Sequence, residues 1–499
     1  MDLAHAESRK KRSRRATARS PLIRRLYTSS ANMITRDQAT DIFDKLRKHA
    51  TADEVELLIS GSRSALTRFA NNTIHQNVAE EGNQISVRVS FGGRTARATT
   101  NKTDDDSLRR VVQSAEALAR VQQPDPDLLP MPSPEEVTHN AADSGATAVQ
   151  RYFDSTARIT PEDRATAVAK MVNVATRNRL TTAGIFSTAE LVEGIFNSRG
   201  VTDWYQQTLA EVSVTMLGDT SSGWQKANSP DAAQLEPTRM AEIAAQKAVA
   251  AKNPRDLPPG KYTVILEPAA VLDAVGFMFW DFGGAALLEQ RSFLNDRIGE
   301  QLFGENITVW DDVYHPLQTG APFDGEGMKR HRLKLIESGI VNEVTYARSN
   351  AVRMQQSEMA GHVGRVTPTG HGFALPNEIG EVPMNIVFGG PRPAQSQTVD
   401  QMIAATERGI LVTRLWYIRE VDPYEKILTG MTRDGTFLVE DGKVQCGIRN
   451  FRFNESLIHM LQNVEAMGLP VRSTGEESMD MVVPAMKIRA FNFTETTKF

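Results

Sequence analysis

The sequence contains very little cysteine, since Cys446 is the only one among 499 residues. A single thiol excludes an intramolecular disulfide framework, a cysteine-based zinc knuckle and an iron–sulfur cluster held by this chain alone. Long apolar runs are missing too, because the most apolar window, residues 272–288, is interrupted by two aspartates. A membrane span needs roughly 20 apolar residues. We therefore expect a cytoplasmic protein that does not contact a membrane.

Charge of one sign is not in excess. The 57 lysines and arginines face 61 aspartates and glutamates, which gives a net charge of −4 and excludes a general nucleic-acid binder. Residues 1–33 differ, because their nine basic side chains face only Asp2 and Glu7. We predict that this segment is a basic, disordered extension. It can be interpreted as a targeting peptide, a basic arm or an over-extended gene start.

The common catalytic motifs are missing as well. The sequence has no GxxxxGK[ST] phosphate loop, no GxGxxG and no G-x-S-x-G nucleophile elbow. Its nine histidines include no pair at a zinc-ligand spacing on one helix, so HExxH is absent. These absences exclude the most familiar nucleotide-binding enzymes, serine hydrolases and zinc proteases.

Apolar periodicity and proline clusters divide the rest of the chain into several units. We predict an α+β fold in which small N-terminal α/β units precede a large, mainly antiparallel β-rich C-terminal domain. The predicted units are an N-terminal α/β domain (34–122), a proline-rich linker (123–144), a middle α+β domain (145–253) and the C-terminal domain (259–499).

Within the C-terminal domain, alternating apolar residues predict many strands and few helices. The predicted strands are 262–266, 306–310, 333–337, 340–347, 384–388, 410–418, 436–440 and 443–448. The predicted helices lie at about 268–280 and 455–467.

Four separated segments carry the patterns of one family. They are RFANNTIHQNVAEEGNQISVRVSFGGRTARATT (68–100), IFNSRGVTDWYQQTLAEVSVTML (195–217), the stretch from SFLND to NAVRM (292–354) and the stretch from LWYIREVDP to EDGKV (415–444). In this order they resemble the TldD/PmbA (TldE) family of metallopeptidase-related proteins, and the resemblance spans residues 36–497. It implies a role in proteolysis.

The resemblance also reveals a departure. Active TldD-type subunits carry HExxxH, in which two histidines hold the metal and the glutamate is the general base, and a late cysteine adds a ligand. Here Leu272 and Phe277 stand at the histidine positions, Asp273 replaces the glutamate, and residues 472–477 lack the cysteine. Leucine and phenylalanine have no lone pair for a metal. We therefore expect no catalytic residue and no cofactor in this chain, and zinc only on a TldD-type partner.

The aromatic residues that follow this motif have a simpler interpretation. Phe277, Phe279, Trp280 and Phe282 lie in an apolar segment that would be buried if no ion lay beneath it. We predict that all four belong to the hydrophobic core.

PmbA/TldE-like members lack the metal motif in the same way and pair with a TldD-type subunit. The segments FLNDRIGEQ and PFDGEG, and Thr369-Gly370-His371, resemble that side of the family. The implied function is a non-catalytic subunit of a TldD-type metallopeptidase complex that acts on unfolded or modified peptides, as a heterodimer or a homodimer. Two alternatives stay open: an independently active hydrolase that uses His371 with Asp324 or Glu326, and a peptide-binding module without protease activity.

Five side chains are candidate peptide contacts. Asp324 and Glu326 could hold a peptide amine or a hard cation, or could be solvated turn residues. His371 lies in a sequence typical of a flexible polar loop and could act as an acid or a base. Arg297 and Arg348 could hold a peptide carboxylate, or could form ordinary ion pairs with nearby acids.

Overall fold

The computed structural model describes residues 33–142, 144–145 and 147–497. The prediction for residues 1–33 therefore lies outside the described residues, apart from Met33. Among the described helices, none combines the length and the apolar character that a membrane crossing requires.

Strands from the first half of the chain form one antiparallel sheet. They are β1 (Glu54–Ala70), β2 (Thr73–Phe91), β3 (Arg94–Thr100), β4 (Thr181–Asn197), β5 (Thr202–Leu217) and β6 (Ser222–Ser229). Their order is β3-β2-β1-β4-β5-β6. Because β1 pairs with β4 from Glu56–Asn197 to Phe69–Gly184, the sheet joins the two units that the sequence analysis separates.

The helices of this half of the chain are α1 (Arg36–His49), α2 (Asp105–Val121), α3 (Pro134–Ala142), α4 (Asp154–Ala157), α5 (Pro161–Arg177) and α6 (Pro237–Ala250). Of these, α1, α2, α5 and α6 cover one face of the N-terminal sheet. Thr35 and Thr160 begin α1 and α5 with reciprocal capping boxes, which satisfy backbone N–H groups that the helix leaves free. Helix α3 lies inside the segment predicted as a linker.

Side-chain alternation gives the N-terminal sheet two different faces. Leu57, Ile59 and Val87 are buried against α1 and α2. Leu58 projects from the other face, in register with Ser86 on β2 and Ile195 on β4. That second face packs against the C-terminal domain, where Ile195 contacts Phe323.

The C-terminal domain contains two further sheets. Its strands are β7 (Gly260–Leu266), β8 (Val309–Asp311), β9 (Leu333–Glu337), β10 (Ile340–Val341), β11 (Ile386–Phe388), β12 (Arg408–Asp422), β13 (Ile427–Glu440), β14 (Lys443–Gly447), β15 (Phe451–Ser456), β16 (Val464–Met467), β17 (Val471–Ser473), β18 (Met481–Val483) and β19 (Met486–Thr496). Its helices are α7 (Pro268–Val275), α8 (Gly284–Leu288), α9 (Arg348–Gln356), α10 (Val399–Ala404) and α11 (Leu457–Gln462).

One of these sheets has the order β10-β9-β8-β11-β18-β17, and the other has the order β12-β7-β19-β15-β13-β14. Because β12 pairs with both β7 and β13, five strands of the second sheet close into a ring. Among the described strand pairs, only β7–β12 and β11–β18 are parallel. The prediction of an α+β fold with a mainly antiparallel C-terminal domain is confirmed.

The main core lies between the two C-terminal sheets and contains Phe279 and Phe282, each 0% exposed. Trp280, in contrast, is 52% exposed, and Phe277 is half-buried, so the prediction that all four aromatics are core is wrong. Residues 276–281 form a 3₁₀ turn with three residues per turn. Residues 276, 279 and 282 therefore point inwards, while 277 and 280 share the outer side.

Candidate functional site

The degenerate metal motif lies on α7 and the 3₁₀ turn that follows it. Pro268 occupies the first turn of the helix, where its missing N–H costs nothing, and apolar residues bury almost the whole helix surface. Leu272 and Asp273 are 0% exposed. Leu272 packs in the core, and Phe277 lines a shallow surface pocket with Trp280.

A loop from the end of the chain closes over this helix. The Asp273 Oδ1 accepts the backbone N–H groups of Glu476 at 3.2 Å and Glu477 at 3.3 Å. Burial outweighs these bonds and raises the pKa of Asp273 to about 7. Residues 472–477, where the resemblance places the late cysteine, therefore lie against the helix that carries the degenerate motif.

The side chains at this place do not fit a zinc ion. Zinc in proteins takes three or four nitrogen, sulfur or carboxylate ligands. Leu272 and Phe277 offer none, which leaves Asp273 as a single carboxylate whose Oδ1 accepts two amide hydrogens, and one carboxylate is too few for a zinc site. Among the residues that the structure describes, no group of three or more His, Cys, Asp or Glu side chains is arranged to hold a metal ion.

Gly475 allows the close contact between loop and helix. A Cβ at this position would lie 2.2 Å from the Asp273 Oδ1 and 2.6 Å from the Leu272 Cδ2. We expect Gly475→Ala to lower the free energy of unfolding by about 1–3 kcal/mol in urea titrations, because the loop or the helix must move. Gly82→Ala is the control, since a Cβ there meets nothing within 4 Å. Equal stability of the two variants would contradict this packing.

Asp324 and Glu326 form a buried acid pair in the loop before β9. The Asp324 Oδ1 accepts the N–H groups of Glu326 and Met328, both at 2.9 Å, and its Oδ2 accepts that of Gly372 at 2.8 Å. Burial raises the pKa of Asp324 to about 6. Burial, with the nearby charge of Asp324, raises the pKa of Glu326 to about 7. With 5% and 3% exposure they are not solvated turn residues.

His371 is fixed rather than flexible, and its side chain is 0% exposed. Its Nε2 lies 3.0 Å from the Asp311 Oδ1, and its Nδ1 lies 3.0 Å from the Thr369 Oγ1. The interpretation as a flexible loop residue is therefore wrong. Its acidic partner is Asp311 instead of Asp324 or Glu326, and the backbone N–H groups of Met384 and Asn385, just before β11, hold the other oxygen of that carboxylate. The ring is buried between Asp311 and Thr369 and does not face Asp324 or Glu326 as a hydrogen-bond partner.

The two arginines lie apart from each other. Arg348 donates its backbone N–H to the Glu326 Oε2 at 3.0 Å, and its guanidinium binds Glu136 of α3 through two bonds of 2.7 and 3.0 Å. It thereby fastens the segment between the units to the C-terminal domain. Arg297 lies instead at the turn between β12 and β13, where it donates to the Tyr424 carbonyl at 3.3 Å. Arg297 is not part of the acid cluster.

An interdomain cleft of about 580 Å³ opens between the N-terminal sheet and the loops around Asp324 and His371. Asp324 and His371 are the two predicted contact residues in its wall. The other charged side chains in the wall, which were not predicted from the sequence, are Arg97, Glu193 and Arg330. The only sequence signal for Glu193 is the alternation Leu191, Glu193, Ile195 along β4. This pattern places the three side chains on one face of the sheet, but it does not show which part of the protein packs against that face.

Known proteins resemble this chain over most of its length. The family model described as "PmbA/TldA metallopeptidase C-terminal domain" matches residues 259–495, and "PmbA/TldA metallopeptidase domain 1" matches residues 55–119. "Metalloprotease PmbA" of Escherichia coli O157:H7 is 22% identical over 422 residues, which cover 81% of this chain and 85% of that protein. "Metalloprotease PmbA homolog" of Haemophilus influenzae is 21% identical over 446 residues, which cover 84% and 90%.

The fold has a counterpart among solved structures. TldE from Thermococcus kodakarensis matches with a TM-score of 0.78 at 18% sequence identity, over 92% of this chain and 100% of that chain. At this identity the likeness shows that the two chains share a fold.

Proposed function

Because the chain belongs to the PmbA/TldD family of metallopeptidase-related proteins, we propose that it is a non-catalytic subunit of a cytoplasmic peptidase complex. In this proposal a TldD-type subunit carries the metal. The present chain completes the complex and helps to hold unfolded or modified peptides.

One observation carries the proposal: the motif helix has no ligand set. Leu272 and Phe277 cannot bind a metal, and the acid between them is held by the amides of Glu476 and Glu477. Restoring a site would need several new ligands and a shift of the loop that now packs on the helix. A subunit with this helix depends on a partner for any metal-assisted hydrolysis.

The alternative of an independent hydrolase has less support. It requires His371 to act with Asp324 or Glu326, but His371 is paired with Asp311 and Thr369. The acids receive backbone N–H groups, which suits a structural role for them in shaping the cleft wall.

Reconstitution tests the proposal directly. The purified chain is dialysed against zinc, its metal content is measured, and cleavage of an unfolded protein is followed with and without a TldD-type relative from the same genome. We expect far less than one zinc per chain and no cleavage by the chain alone. With the relative we expect one stable complex in size-exclusion chromatography and cleavage of the unfolded protein.

The matched control is the same mixture in which the motif glutamate of the relative is replaced by glutamine, and it should form the complex without cleaving. Stoichiometric zinc with cleavage by the present chain alone would overturn the proposal. If the chain forms a homodimer and does not bind the relative, the heterodimeric form is disproved. If it binds peptides without forming any complex, a separate peptide-binding module is favoured.

A further inference from the structure

Glu193 stands out among the charged groups that line the interdomain cleft, because the other four all have partners. Arg97 bonds to Glu56, and Arg330 donates to the Asn385 Oδ1 at 3.0 Å. His371 is paired with Asp311, and Asp324 accepts three backbone N–H groups. Within the described part of the chain, the Glu193 carboxylate has no hydrogen bond and no ion pair.

The surroundings of Glu193 disfavour its negative charge. Its side chain is exposed to the water of the cleft. The protein atoms around the carboxyl raise the pKa of Glu193, and the Arg330 charge offsets the effect only in part. A cation bound here would lie inside the cleft, where solvent screens the pair less than on an open surface.

The rest of the cleft is suited to an extended apolar chain. Leu58 from β1, and Phe373 and Met384 from the C-terminal domain, are half-buried in the walls. Polar groups of the sheet, Ser60 and Gln84, lie in the same cross-strand row as Glu193. A long side chain with an alkyl stem and a cationic head would fit this cleft, because the stem would contact the apolar walls while the head would pair with the Glu193 carboxylate.

We propose that the interdomain cleft binds peptides through a lysine or arginine side chain, with its cationic head on Glu193 and its alkyl stem between Leu58, Phe373 and Met384. This assignment deepens the proposed function, because it gives the chain a preference for basic segments of the peptides that it holds. Binding requires neither a metal nor a partner.

Calorimetry on the isolated full-length chain tests this site. The probes are capped pentapeptides, Ac-Ala-Leu-Lys-Leu-Ala-NH₂ and the same peptide with norleucine in place of lysine. A hydrogen bond between charged groups changes affinity by about tenfold or more, so we expect the lysine peptide to bind at least about tenfold tighter. Glu193→Gln should abolish this preference.

Glu80→Gln is the matched control, since Glu80 is an exposed glutamate of the same sheet and should leave the preference intact. Circular dichroism shows whether each variant is folded. Equal affinity for the two peptides, no measurable binding at millimolar concentration, or a preference that survives in Glu193→Gln would overturn the site. The reconstitution result is independent of this one, because partner-dependent cleavage does not require a preference for lysine.

Discussion

Replacing Glu56 by glutamine is expected to lower the free energy of unfolding by about 3–5 kcal/mol, because it leaves the buried Arg88 and the half-buried Arg97 without their counter-charge. The Glu56 carboxylate is 0% exposed and accepts from Arg88 at 2.8 Å and from Arg97 at 2.7 Å. Arg97 also donates to the Leu375 carbonyl at 2.7 Å, so the same carboxylate positions a contact between the sheet and the C-terminal domain.

Urea unfolding of the wild type, Glu56→Gln and Arg88→Met measures the effect. Arg88→Met should cost less than Glu56→Gln, because it leaves the Glu56–Arg97 pair intact. Glu80→Gln, an exposed change of the same chemistry, should stay within about 0.5 kcal/mol of the wild type. A cost for Glu56→Gln as small as that of the exposed control would show that the ion triad does not stabilise the fold.

The pH dependence of this contribution has a definite sign. Burial alone would raise the pKa of Glu56, but Arg88 and Arg97 together hold it below its ordinary value. A carboxyl whose pKa is lowered on folding stabilises the protein above its unfolded pKa and loses that contribution as the pH falls. The difference between wild type and Glu56→Gln should therefore shrink in acid, below about pH 4.5.

Local signals in the sequence predicted many of the C-terminal strands and the start of α7 at Pro268. Features of this kind, such as the caps at Thr35 and Thr160 and the apolar face of α2, depend on residues that are close together in the sequence. Strand β19 was missed, because Ala490 has a φ of +60° and a register shift separates Ile488 from Phe491. The alternation is broken there. Residues 455–467, predicted as one helix, form the short α11 and then β16.

Features that depend on distant pairing could not be predicted in this way. Nothing local in β1 and β4 shows that strands from two units pair in one sheet. For the same reason the alternative of a hydrolase joined His371 to Asp324 or Glu326, whereas in the structure the ring lies 3.0 Å from Asp311, sixty residues away on β8. The sequence was sufficient to show that the motif positions lack metal ligands. The contact between Asp273 and the loop at Glu476, about two hundred residues later, could be seen only in the structure.

Glu326 provides the opposite case to Glu56, because burial and the neighbouring Asp324 raise its pKa to about 7. In the unfolded chain a glutamate has a pKa near 4.5. Between about pH 4.5 and 7, Glu326 therefore keeps a proton in the folded state that it has released in the unfolded state. This group favours the folded state most below about pH 4.5, and its contribution declines as the pH rises towards 7. Between these two pKa values the free energy of unfolding falls by about 1.4 kcal/mol per pH unit, which gives a total loss of roughly 3 kcal/mol.

Glu326→Gln should remove this pH dependence, because glutamine stays neutral and can still accept the Arg348 N–H. We expect the variant to be close to the wild type in stability near pH 4.5 and more stable by roughly 3 kcal/mol at pH 8. Urea titrations at a series of pH values measure the difference, with Glu80→Gln as the exposed control that should show no such trend. If the free energies of unfolding of Glu326→Gln and wild type instead change in parallel from pH 4.5 to 8, folding does not raise the pKa of Glu326. Glu326 would then be ionised in the folded protein over this whole range, and the prediction would be wrong.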